Sequence, residues 1–128
     1  MPDTAPHGPT ILVADDSSEQ RALYAEILTG AGFRVVEASD GAEAVTMVER
    51  ERPSLVLMDV TMPGTSGWNA VRVLKENLAT AGVPIIVVTG LAASWDRDAS
   101  IAAGADEYLA KPVSPARLLE EVRKFSTR

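Results

Sequence analysis

From Thr10 onward, strand-like and helix-like segments alternate five times, and this alternation limits the possible folds more than any other feature. The strand-like runs fall at about 10–15, 34–38, 55–59, 84–89 and 107–110, with helical patterns between and after them. Short aliphatic runs bounded by turn residues read as strands buried on both faces, the habit of parallel sheets covered by helices. Such repetition predicts a doubly wound α/β sheet with helices on both sides. The second run (Arg34-Val35-Val36-Glu37) and the fifth (Glu107-Tyr108-Leu109) are short with charged flanks, which suits edge strands. The first, third and fourth are the most apolar and belong inside. The predicted order is therefore 2-1-3-4-5, with a topological switch point between strands one and three.

The helical segments carry their own start and stop signals. Ser17-Ser18 opens the first, where Leu23 and Ile27 share a face and Gly30 or Gly32 ends it. Asp40 caps the second, Glu43 completes a capping-box pattern, and Val45 and Val48 point inward. Pro53 closes that helix, because the residue before a proline is pushed out of the right-handed region. The third spans roughly 67–79 with Val71, Leu74 and Leu78 as its apolar stripe. An alanine-rich pattern covers about 92–103 and stops at Gly104. The last begins with Ser114 as cap and Pro115 at the first helical position, then buries Leu118, Leu119, Val122 and Phe125.

Residues 1–9 hold three prolines and almost nothing apolar, and are expected to be a disordered lead-in to a single domain over 10–128. His7, the only histidine, falls in that lead-in and reads as solvated. With no cysteine, disulfides and thiolate metal sites are excluded, and nothing suggests secretion. No apolar run approaches a membrane span, so a cytoplasmic protein is expected. A net charge of −6 argues against a nucleic-acid surface. That acidity either keeps the domain soluble or belongs in part to a metal site.

Four strand-like runs stop at residues suited to phosphoryl chemistry: Asp15-Asp16, Asp59, Thr89-Gly90 and Lys111-Pro112. Ligands of open parallel sheets gather outside the carboxyl ends of the strands, so these groups are expected to meet at one rim. Three carboxylates at close quarters raise one another's pKa and call for a cation. Only oxygen ligands are on offer, which favours Mg²⁺. A carboxylate can act as nucleophile in phosphoryl transfer, Lys111 supplies a point charge and Thr89 a hydroxyl donor. Singly, each has a plainer reading, the Asp pair as a helix cap above all. Together and in this order they point to one site.

The stretches ILVADDS, LVLMDVTMPGTSGW, PIIVVTG and GADEYLAKPVS, spread over Thr10 to Phe125, resemble the response-regulator receiver domains of two-component signalling, and are similar to single-domain regulators of the chemotaxis type. The resemblance implies a flavodoxin-like (βα)5 sandwich and a phosphorylation-activated switch rather than an enzyme acting on other molecules. By position, Asp59 would accept a phosphoryl group from a sensor histidine kinase, a phosphotransfer protein or a small phosphodonor. Asp15, Asp16, Asp59 and the backbone carbonyl of Thr61 would hold Mg²⁺, Asp15 mainly through water. Lys111 and the backbone N–H groups of Val60 and Gly90 would bind phosphoryl oxygens. Thr89 and Tyr108 would form the switch, a cis bond would join Lys111 to Pro112, and Pro63, Gly64 and Gly67 would shape the turn after the acceptor strand. Thr61 and Leu91 would govern water attack on the phosphoryl group.

Leu91, Trp95 and Tyr108 mark an expected partner surface, with Trp68 nearer the acceptor loop. A downstream output protein is expected to read the switch, without membrane or direct nucleic-acid contact. The chain is expected to be a monomer that dimerises, if at all, on phosphorylation. Two other readings compete. A haloacid-dehalogenase-like phosphatase needs a second acid two residues past the nucleophile, where this chain has Thr61. A pseudo-receiver acting purely as an interaction module should have lost an acid, the threonine or the lysine, and all are present.

Overall fold

Each apolar run forms a strand, and among the described residues four of the periodic segments form helices. The computed structural model describes residues 8–59, 67–90, 98 and 101–126. Five strands are described: β1 (Thr10–Ala14), β2 (Arg34–Ala38), β3 (Leu55–Met58), β4 (Ile85–Thr89) and β5 (Glu107–Ala110). The described helices are α1 (Ser18–Gly30), α2 (Gly41–Glu51), α3 (Gly67–Glu76) and α4 (Pro115–Ser126). All pairings are parallel and the order is β2-β1-β3-β4-β5. The central strands β1, β3 and β4 are almost wholly buried, while β2 and β5 are partly exposed, as edges must be.

Because successive strand side chains point to opposite faces, the sheet feeds two cores. Leu12, Val56, Met58, Ile85 and Val87 pack with Ala44 and Val48 of α2 and Ala70, Val71 and Leu74 of α3. Ile11, Val13, Leu57, Ile86 and Val88 pack on the other side with Tyr24 and Leu28 of α1 and Leu118, Val122 and Phe125 of α4. At about 25 cal/mol per Å², each such aliphatic side chain contributes roughly 1.5–3 kcal/mol on burial.

The caps form from the residues expected. Ser17 Oγ accepts from Gln20 N–H at 3.2 Å, and Ser114 Oγ from Arg117 N–H at 3.1 Å. Asp40 Oδ1 accepts from Glu43 N–H at 2.8 Å, but Glu43 returns its bond to Ser39 N–H, one residue before the cap, at 2.6 Å. Gly32, just past α1, takes φ 97, a turn that favours glycine. Pro53 denies Arg52 the right-handed region, and Arg52 adopts φ 46 rather than an extended conformation.

Three expectations about helix faces are corrected. The buried stripe of α1 is Tyr24 and Leu28, while Leu23 is 48% exposed, because the helix turns its aromatic face to the sheet. Helix α3 stops at Glu76, short of the expected 79, and Leu78 is 97% exposed. There the Thr80 hydroxyl donates to the Leu74 carbonyl at 2.6 Å and the Thr80 and Ala81 N–H groups both donate to the Asn77 carbonyl, so the chain turns away. Leu119 is only partly buried, and Glu121 lies under α4 instead.

Of the lead-in, residues 1–7, His7 among them, lie outside the described residues; Gly8 N–H donates to the Gly32 carbonyl and Arg34 N–H to the Pro9 carbonyl, each at 3.1 Å. Most of the 92–103 helical pattern also lies outside them. Among the described residues no helix is long and apolar enough to cross a membrane.

Candidate functional site

The acidic groups meet because β1 and β3 are neighbours in register. Ala14 pairs with Met58, and Asp59 N–H donates to the Ala14 carbonyl at 2.9 Å. Asp15 and Asp59 therefore leave the sheet side by side at its carboxyl edge, both nearly fully buried. Asp16 follows on the exposed side. Each of the three offers a carboxylate oxygen, and these oxygens lie within 4.8 Å of one another.

Lys111 reaches this cluster from the far edge. Its N–H donates to the Thr89 carbonyl at 2.8 Å, prolonging the β4–β5 ladder by one rung. From there the ammonium donates to Asp15 Oδ2 at 3.2 Å and to Asp59 Oδ2 at 3.1 Å. The Lys111–Pro112 peptide bond is cis, as the resemblance implied. Thr89, fully buried, ends β4 on the same rim, and Gly90 follows it exposed. Tyr108 lies across from Val87 in the next strand, partly buried against the core that holds Met58. Gly67 is the buried first residue of α3, and Trp68 is partly buried against the same core. Val60, Thr61, Pro63, Gly64, Leu91 and Trp95 lie outside the described residues.

The charges perturb one another in readable ways. Burial raises the Asp15 carboxyl above its ordinary value, against the Ser17 N–H bond and the Lys111 charge, and the neighbouring Asp59 charge adds to the rise. Burial alone would lower Lys111, but the hydrogen bond and charge of Asp59, joined by those of Asp15, outweigh it and raise the ammonium. The site is thus a pair of buried carboxylates sharing one ammonium, with a third carboxylate open to solvent. An arrangement of oxygen donors with a facing cation can take a hard divalent ion and an anionic substrate group together.

Two neighbours of the site escaped the sequence reading. Arg21 Nη1 donates to the Asp15 carbonyl at 2.6 Å and Nε to Glu37 Oε1 at 3.1 Å. An arginine in the second turn of a helix gives no sign of facing backward to a strand end. Tyr24 is buried, and its phenol is raised by that burial, with Lys111 opposing and Asp15 and Asp59 reinforcing the rise. Its spacing from Leu28 was the available signal.

Similarity to known proteins gives the family. The model of the response regulator receiver domain matches residues 11–123, and the chain belongs to that family. The DNA-binding response regulator MtrA of Mycolicibacterium paratuberculosis is 38% identical over 113 residues, which make up 88% of this chain and 49% of that protein. The receiver domain of a sensor histidine kinase from Pseudomonas aeruginosa PAO1, solved with magnesium coordinated in its active-site cleft, superposes with a TM-score of 0.88 at 32% identity, covering 94% of this chain and 99% of that one. A CheY-like receiver domain protein from Methanospirillum hungatei JF-1 gives 0.87 at 30% identity, covering 94% of each. The chain spans about half the length of the curated relatives it matches. One of those is named as DNA-binding, so the expectation of no direct nucleic-acid contact finds no support there.

Proposed function

We propose that this receiver domain is a phosphorylation-controlled switch in which Asp59 accepts the phosphoryl group. The observation that carries the reading is Lys111 donating to both Asp15 and Asp59 within a cluster of three carboxylates. The donor set is all oxygen, two of its members are buried and one is open, which fits Mg²⁺. In this reading Asp15, Asp16, Asp59 and the carbonyl of Thr61 hold that ion. When bound, it neutralises charge on the transferred phosphoryl oxygens.

The chain's own groups do the rest. An Asp59 carboxylate oxygen attacks phosphorus; the bond from phosphorus to a donor histidine nitrogen, or to the acetate oxygen of acetyl phosphate, breaks. The departing group keeps that electron pair, and the histidine then takes up a proton. Lys111 moves its ammonium from two carboxylates to a phosphoryl oxygen, with the backbone N–H groups of Val60 and Gly90 binding the others. A phosphoryl group adds about −1.5 to −2 charge at neutral pH, enough to draw the Thr89 hydroxyl toward it. Tyr108 then turns inward, biasing two existing conformers rather than creating a new one. Attack by water returns Asp59 and releases phosphate, so the protein's catalysis is confined to itself. The donor is a sensor histidine kinase or phosphotransfer protein in the cytoplasm, and a downstream output protein or module reads the Tyr108 face.

Incubation with Mg²⁺ and acetyl phosphate followed by intact mass tests this. Wild type gains one phosphoryl unit and Asp59→Asn gains none. A persisting adduct in Asp59→Asn, or none in wild type, removes the proposal.

A further inference from the structure

Every polar atom of Asp15 is held. Its N–H donates to the Ala38 carbonyl at 3.0 Å, Oδ1 accepts from Ser17 N–H at 2.9 Å, Oδ2 accepts from Lys111, and its carbonyl accepts from Arg21. The last bond is the unusual one. Arg21 lies on α1, its own N–H bonded to the Ser17 carbonyl at 3.0 Å, and its side chain folds back to the end of β1. Nε is anchored on Glu37 of β2, and the Arg21 side chain is only 18% exposed against 45% for Glu37. An exposed arginine–glutamate pair alone would count for little. Here the pair aims a second guanidinium nitrogen at one carbonyl.

That carbonyl belongs to the peptide joining Asp15 to Asp16. Peptide units are planar and rigid, so fixing the oxygen fixes the direction in which the chain enters Asp16. Asp16 is exposed, and its placement in the cluster depends on this backbone direction. Resting on the metal reading given above, we propose that Arg21 is a positioning residue for the divalent-cation site: braced by Glu37, it orients the Asp15–Asp16 peptide and so presents the Asp16 carboxylate.

Charge and positioning predict opposite results, which makes the inference testable. A cation beside the site repels Mg²⁺, so if charge alone mattered, Arg21→Ala would bind Mg²⁺ more tightly. If Arg21 positions Asp16, Arg21→Ala binds more weakly, by about tenfold, the usual scale for partners that orient metal ligands. Arg21→Lys keeps the charge but loses the planar fork that spans two acceptors, and binds severalfold more weakly than wild type.

Calorimetric titration of each protein with Mg²⁺ alone decides, with thermal melts confirming folding and the half-saturating Mg²⁺ for acetyl phosphate labelling read alongside. Weaker binding in both variants, with the labelling change falling on half-saturating Mg²⁺ rather than on the plateau, supports the proposal. Equal or tighter binding by folded Arg21→Ala overturns it, as does wild-type affinity in Arg21→Lys should the alanine variant not fold. Asp16→Asn serves as the control for the site itself. If wild type binds no Mg²⁺, the metal reading fails and this inference with it; if wild type binds and Asp16→Asn does not, only the role of Arg21 is at stake.

Discussion

Lys111 Nζ stands 3.1 Å from Asp59 Oδ2, although 52 residues separate the two along the chain. The same nitrogen is 3.2 Å from Asp15 Oδ2, so one ammonium neutralises part of a doubly acidic corner. Removing it leaves two buried carboxylates facing each other.

Lys111→Ala is therefore expected to destabilise the metal-free protein. Breaking a fully buried pair costs about 3–5 kcal/mol, and the partial exposure of Lys111 reduces the expectation to roughly 1–3 kcal/mol. Mg²⁺ should restore part of the loss, since a cation bound only to the folded state stabilises it by mass action. Urea unfolding with and without Mg²⁺ measures both. A variant as stable as wild type without the ion would show that the ammonium contributes no net stabilisation.

The raised Asp15 and Lys111 pKa values fix a pH dependence for the metal-free protein. A carboxyl raised in the folded state binds its proton more tightly there than when unfolded. Its contribution is thus full below 3.8, its ordinary value, and falls as pH rises through the folded value. Lys111, raised above 10.5, stabilises fully below that pH and loses its contribution as pH climbs through its folded value. Unfolding midpoints against pH should carry a declining component just above 3.8 that Asp15→Asn lacks. Identical slopes in the two proteins would contradict this.

Leu91 cannot hydrogen-bond an attacking water, and its position relative to Thr89 resembles one that governs phosphoryl lifetime in this family. Leu91→Asn is expected to shorten the lifetime of the Asp59 adduct severalfold. Decay followed by intact mass after removal of acetyl phosphate gives the rate, and an unchanged rate removes Leu91 from the account.

Gly104→Ala is expected to destabilise without touching the site. Gly104 has φ 108, and a Cβ there would meet Lys75 Cγ at 2.9 Å. Lys75 also pairs with Asp106 Oδ2 at 2.8 Å and donates to the Val83 carbonyl at 2.8 Å, so it has little freedom to move aside. Strain of this kind is of order 1–3 kcal/mol. A lowered melting temperature with wild-type Mg²⁺ affinity is the expected pair of results; an unchanged melt would refute the strain argument.

The strands and their order were legible because four aliphatic runs end in chemically marked residues and the two edge runs carry charges. Asp15, Asp16, Asp59 and Lys111 could be grouped from sequence for the same reason: a parallel sheet delivers all its strand ends to one rim. Helix faces were harder. Leu78 continues the stripe of Val71 and Leu74 on paper, but the Thr80 hydroxyl ends the helix first, and a side-chain bond to a backbone carbonyl leaves no trace in periodicity. Glu121 was unreadable for a related reason. An acid is assigned to solvent by default, yet this one lies under α4 with Arg117 at 3.8 Å and Lys124 at 3.9 Å.

The rung between Lys111 N–H and the Thr89 carbonyl has a further consequence. It rivets the main chain under the threonine to the main chain under the lysine, at the last step of two adjacent strands. Sliding of β4 past β5 would tear that rivet, so under the proposed function Thr89 would answer a new charge by torsion about its own Cα–Cβ bond. In the proposed switch, a signal that starts as chemistry on Asp59 would thereby be restricted to a single hinge before it spreads.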